Sequence, residues 1–84
     1  MIHKQMVRDG DVISLPYGSN IIKAADQLGD LTIWYEFNPK ETGAALVEVK
    51  VVGTGWDVDT TDWIYIDSVF QDVFVWHIYC RNRI

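Results

Sequence analysis

Four stretches of this chain alternate apolar and polar residues with a period of two, and each is closed by turn residues. In Leu31 to Phe37, Leu31, Ile33, Tyr35 and Phe37 share one face and Thr32, Trp34 and Glu36 the other. In Leu46 to Val52, Val47, Val49 and Val51 oppose Glu48 and Lys50. Trp63 to Phe70 sets Ile64, Ile66 and Phe70 against Tyr65, Asp67 and Val69, and Val73 to Cys80 sets Phe74, Trp76 and Ile78 against Val75, His77 and Tyr79. Successive strand side chains point to opposite faces, so this pattern predicts β-strands with one buried side. The last run is heavy on both faces and reads as a central strand.

The remaining chain fits the same scheme. Residues 2–7 and 12–15 read as strands separated by Asp9-Gly10-Asp11, which suggests a hairpin. Pro16-Tyr17-Gly18-Ser19-Asn20 breaks the chain. Residues 21–28 carry good helix formers and fit one short helix or a strand; the surrounding strands favour strand. Gln71-Asp72 is a two-residue turn candidate. About seven short strands with turns every eight to twelve residues predict an all-β fold, a small antiparallel β-sandwich or partly open barrel. With 84 residues the chain makes one domain, residues 1–84, with no internal repeat. Four Trp are present and each can bury about 150–250 Å², so a few aromatics could supply much of the core, or some could lie on the surface and mark an interface.

Charge narrows the function. The formal balance is −5, from 7 basic and 12 acidic residues. That opposes nonspecific nucleic-acid binding, which depends on phosphate neutralisation by Lys and Arg. Asp57, Asp59, Asp62, Asp67 and Asp72 fall in a stretch without a single Lys or Arg. His3, Lys4 and Arg8 lie near one terminus and Arg81 and Arg83 near the other, so pairing of the terminal strands would gather them into one patch. No apolar run reaches the ~18 residues of a membrane helix, and Met1-Ile2-His3-Lys4-Gln5 lacks a signal-peptide core. A cytoplasmic protein is expected.

Catalytic groups are scarce. His3 and His77 are the only imidazoles, and no Ser stands in an elbow motif. Cys80, the single cysteine, is three residues from His77 on a strand, so the two face opposite ways. A buried inert thiol is expected there. The aspartates lack the spacing of a calcium loop. The sequence therefore predicts no enzyme, no cofactor and no metal.

Two clusters stand out. Gly53-Thr54-Gly55-Trp56 ends a strand; it reads as an anion-holding loop with a stacking Trp, or as a tight turn with Trp56 folded back as a lid. In Trp76-His77, Trp76 is expected in the core, and His77, on the other face, reads as a polar contact in a pocket or as a satisfied half-buried histidine, the latter favoured. Tyr17 is a further exposed aromatic candidate.

These motifs resemble a family of small β-rich phage and bacterial proteins. The matching residues are His3-Lys4, Pro16-Tyr17-Gly18, Ile21-Ile22, Trp34, Asn38-Pro39, Gly53-Thr54-Gly55-Trp56 and Phe74-Val75-Trp76-His77, in order along nearly the whole chain. Gln27 and Gly29 match with Leu28 as a one-residue gap, and Trp56 stands where His is common. The family includes phage anti-defence proteins that sequester cyclic dinucleotides, such as 3′,3′-cyclic GMP–AMP, from bacterial CBASS immunity. The resemblance implies a homodimeric sponge in the host cytoplasm that binds such a signal without cleaving it. It implies that Trp56 and Tyr17 stack on bases, that Lys4, Arg81 or Arg83 meet phosphates, and that Thr54 and His77 supply polar contacts. A competing reading is an acidic nucleic-acid mimic that inhibits a host or defence enzyme. That reading requires the aspartates of 57–72 to form one continuous face. A structural or assembly protein and an enzyme cleaving a cyclic nucleotide are further readings.

Overall fold

A computed structural model describes residues 1–83. Seven strands form: β1 (Ile2–Met6), β2 (Val12–Pro16), β3 (Asn20–Gln27), β4 (Asp30–Glu36), β5 (Ala44–Gly53), β6 (Ile64–Gln71) and β7 (Phe74–Asn82). All pairings are antiparallel, in a three-stranded sheet ordered β1-β4-β3 and a four-stranded sheet ordered β2-β5-β7-β6. The two sheets close on one core. Ala24, Ile33 and Tyr35 face inward from the small sheet; Leu15, Val47, Val49, Val51, Val69, Ile78 and Cys80 meet them from the large one. The expected alternation is present in β5 through Val51, and β7 lies inside its sheet. In β4, Ile33 and Tyr35 are buried as expected, but Thr32, expected on the outer face, is buried as well, its hydroxyl donating to the Asp30 carbonyl.

The expected hairpin between the first two strands does not form. β1 pairs with β4 and β2 with β5, so the Asp9-Gly10-Asp11 turn carries the chain from one sheet to the other. Asp9 and Gly10 bind β5: Val51 N–H donates to Asp9 Oδ1 at 2.9 Å, and Gly10 N–H to the Val49 carbonyl at 2.9 Å, while Asp11 closes the turn on Arg8, its Oδ2 accepting the Arg8 N–H at 2.8 Å. Residues 21–28 form no helix. They make most of β3, held by the β4 ladder, with a bulge between Ile21 and Lys23.

A second bulge, between Tyr65 and Asp67, divides the face expected for β6. An extra residue reverses the in–out phase beyond it. Ile66 packs against the core and Val69 is buried, whereas Ile64 and Phe70 are exposed. The β6–β7 turn is Asp72-Val73, one residue later than expected, with Asp72 at φ 55°.

The β3–β4 turn is unusual in its chemistry. Leu28 (φ 53°) and Gly29 (φ 93°) both adopt the left-handed region that such two-residue turns require, normally filled by Asn-Gly. A left-handed leucine costs about 1–2 kcal/mol relative to a residue at ease there.

Candidate functional site

Residues of both sheets line two clefts. One, of about 490 Å³, has a floor of Leu15, Ile21, Val47 and Cys80 and a rim that includes Tyr17, Tyr65 and Arg81. The other, of about 590 Å³, is lined by Val7, Leu31 and Val51 below and by Trp56, Trp76, Gln71 and Arg8 around its mouth. Both volumes lie in the range of about 300–1,000 Å³ usual for small-molecule sites. Neither needs a second copy to reach that volume.

The larger cleft is built from the end of β5. Gly53 leaves room that a side chain would fill: a Cβ there would lie 2.6 Å from Cε2 of Trp56. The indole folds back over this glycine and meets Trp76 edge to face, ring centres 5.7 Å apart. Phe74 also stacks on Trp76, ring centres 5.4 Å apart. Trp76 is fixed in turn, its Nε1–H donating to Gln71 Oε1 at 3.1 Å, while Gln71 Nε2 donates to the Gly29 carbonyl at 3.0 Å. Trp56 remains 57% exposed, so it is only in part the lid expected from the sequence. Two N–H groups of this turn are engaged, Thr54 with the Val75 carbonyl and Trp56 with the Gly53 carbonyl, and cannot hold an anion. The nearby cation is Arg8, whose guanidinium makes no ion pair with the described residues.

A different arrangement occupies the outer face of the large sheet. Tyr65 OH lies 2.6 Å from Ser68 Oγ, Ser68 Oγ 2.9 Å from His77 Nδ1, and His77 Nε2 2.7 Å from Thr54 Oγ1. The chain of contacts braces the Gly53 turn against β6. Beside it Trp63 lies between two cations, Arg81 at 4.1 Å and Lys50 at 5.0 Å from its ring centre. Lys50 Nζ also donates to the Asp59 carbonyl, drawing the 54–62 loop down over this face. Within that loop, hydrogen bonds from the Thr61 side chain and backbone hold the Asp59 carboxyl below its ordinary range.

The seven residues singled out in the sequence do not converge. Tyr17 and Arg81 share the smaller cleft, and Trp56 lies in the larger. Thr54 and His77 are bonded to each other on the outer face. Lys4 lies across from Trp34 on the small sheet, its Nζ on Gln27 Oε1 at 2.9 Å. Arg81 pairs with Glu48 at 3.0 Å and Arg83 approaches the same carboxylate at 3.9 Å, so both cations are already partnered. The terminal strands lie in different sheets, and the single cationic patch expected of them does not assemble.

The structure adds residues that the sequence reading had placed elsewhere or passed over. Trp76, read as core, is half-buried and backs Trp56. Arg8 and Gln71 reach the same cleft through tertiary packing, which no local pattern announces. The five aspartates of 57–72 are split: Asp57, Asp59 and Asp62 lie in the loop before β6, Asp72 at its far end, and Asp67 is tied to Ala24. They do not make one acidic face. Among the described residues no cluster of His, Cys, Asp or Glu is arranged to hold a metal.

A family model described as a domain of unknown function, DUF7352, matches residues 1–83. No curated protein and no solved structure matches the chain.

Proposed function

The chain belongs to the DUF7352 family, and we propose that it is a passive binder of a cyclic dinucleotide. The observation that carries this reading is the Trp56–Trp76 pair lining the 590 Å³ cleft, with Arg8 among the residues that line the same cleft. A purine has an apolar face and polar edges. Base stacking on an aromatic side chain contributes about 1–3 kcal/mol, and one guanidinium suffices for one phosphate. Gln71, already bonded to Trp76 and Gly29, fixes the wall against which such a ring would rest.

The resemblance supplies the ligand class and the biological setting: a phage protein that withdraws a signal such as 3′,3′-cyclic GMP–AMP from bacterial immunity. Sequestration needs affinity and no chemistry, so the roles implied for Thr54 and His77 become structural, bracing the turn that carries Trp56. The division of the aspartates speaks against the nucleic-acid mimic.

Calorimetric titration with a panel of cyclic dinucleotides tests the proposal, with tryptophan fluorescence as a second readout. Saturable binding that quenches fluorescence and falls about tenfold or more in Trp56→Ala is expected. Recovery of intact ligand after incubation separates a sponge from a hydrolase. Absence of binding by every member of the panel at micromolar protein defeats the reading.

A further inference from the structure

We infer that the paired tips of the β3–β4 and β6–β7 hairpins form a protein-docking surface, shaped to enter an apolar hollow rimmed by Lys and Arg on a different protein. Leu28, at the first tip, is 100% exposed and sits in the left-handed region at φ 53°. It buries nothing in this chain, and its backbone conformation suits Asn or Gly better. Folding alone gives no reason for leucine at this position.

The second tip repeats the pattern. Val73 is 82% exposed beside Asp72 at φ 55°, with Phe74 and Phe70 also exposed. The tips are held together, since Gln71 Nε2 donates to the Gly29 carbonyl at 3.0 Å and approaches Asp26 Oδ1 at 3.3 Å. Phe70 and Phe74 lie on opposite faces of their hairpin, Phe74 level with Gln71 and Phe70 with Val75. Apolar groups therefore surround the tip, which suits insertion into a hollow better than contact with a flat surface. Exposed apolar groups gathered in this way mark interaction sites.

Charge selects the partner. Asp26, Asp30 and Asp72 are exposed around the two tips, against the nearby cation Lys4, whose Nζ donates to Gln27 Oε1, so the surroundings of the tips are net acidic. A second copy docking by the same surface would set these carboxylates against their own counterparts. An anionic bilayer would repel them as well. A basic-rimmed hollow complements both the acid ring and the apolar centre. Gly29 and Gln71 also line the larger cleft and Phe74 stacks on Trp76, but Leu28 and Val73 line neither cleft, so substitutions at those two positions read docking separately from nucleotide binding.

The test places the photo-crosslinker p-benzoylphenylalanine at position 73 in the full chain, in cells that carry its gene. Any adduct is identified by mass spectrometry, and the purified partner is then titrated with wild type and variants. An adduct to one folded protein is expected, with affinity falling about tenfold in Leu28→Asn, as for loss of a central apolar anchor. Asp72→Asn should mainly slow association at low salt. Leu28→Asn should melt no lower than wild type, so lost affinity cannot be assigned to unfolding. It should also leave cyclic dinucleotide titrations unchanged, which keeps the two proposals separable. Adducts only to the chain's own copies or to lipid, no adduct at all, or a partner indifferent to Leu28→Asn would each overturn the inference.

Discussion

The Asp67 carboxylate accepts the Ala24 N–H at 3.1 Å across the seam between the two sheets. Its other oxygen accepts Ser68 N–H at 2.9 Å, so one side chain bridges β3 and β6 where both strands bulge. Asp67→Ala leaves the half of this seam on β3 with an unanswered N–H beside the core. A loss of about 1–3 kcal/mol is expected, read as a lower urea midpoint at unchanged slope. A midpoint equal to that of wild type would show that water replaces the carboxylate without cost.

How much of this was legible beforehand follows from where the information lies. Alternation located β4, β5 and β7, and it gave the inward residues best in β5, where Val47, Val49 and Val51 declare a face locally; it did not anticipate that Thr32 is buried or that Phe74 is exposed. Alternation carries no record of partner choice, so β1 and β2, adjacent in the chain, were assigned to each other. Their separation depends on Asp9 and Asp11 bonding β5, a contact over some forty residues of chain. Bulges are invisible for the same reason: nothing in Ile64-Tyr65-Ile66-Asp67 announces the extra residue that turns Phe70 outward. Of the site, Gly53-Thr54-Gly55-Trp56 was recognisable as chemistry, while the cleft it borders arises only once the two sheets pack.

Gly53 is a steric gate for Trp56. Gly53→Ala places a methyl group where the indole now rests, 2.6 Å from Cε2. Because Trp56 is exposed, the ring can swing out rather than disrupt the strand. The fold should survive with a loss of about 1 kcal/mol, the worth of an aromatic edge contact. The near-ultraviolet dichroism of the Trp56–Trp76 pair should collapse, and cyclic dinucleotide affinity should fall about tenfold with the lost stacking surface. Unaltered dichroism would mean that the indole remains and the backbone yields instead.

Cys80 lies 4% exposed within the core, and burial pushes its thiol from an ordinary 9.0 up to about 11. The neutral form is the one the fold tolerates. Stabilisation from this group is therefore complete below pH 9, the unfolded value, and is lost as pH rises through about 11. Cys80→Ala lacks this titration. Urea midpoints of wild type relative to Cys80→Ala should hold steady up to pH 9 and decline above it. A difference independent of pH would show that the thiolate is solvated in the native state. Alkylation by iodoacetamide at pH 8 should likewise proceed only in denaturant.

The contacts from Tyr65 to Thr54 admit a consistent direction. Thr54 Oγ1 also lies 3.4 Å from the Val75 carbonyl, which accepts the Thr54 N–H as well; toward a carbonyl the hydroxyl can only donate. Oγ1 then receives a proton from His77 Nε2, leaving Nδ1 to accept from Ser68, whose oxygen accepts from Tyr65. The neutral ring is thus expected as the Nε2–H tautomer, identifiable from the ring nitrogen shifts in an NMR spectrum. Protonation of His77 makes Nδ1 a donor, and Ser68 need only turn its hydroxyl toward Tyr65, so the chain persists in reversed sense at that end. Ser68→Ala removes the donor to Nδ1 and should cost about 1 kcal/mol. It should leave the tautomer unchanged, because Thr54 still fixes Nε2. Observation of the Nδ1–H tautomer in wild type would reverse both bonds made by His77 and assign Thr54, rather than His77, as the donor between them.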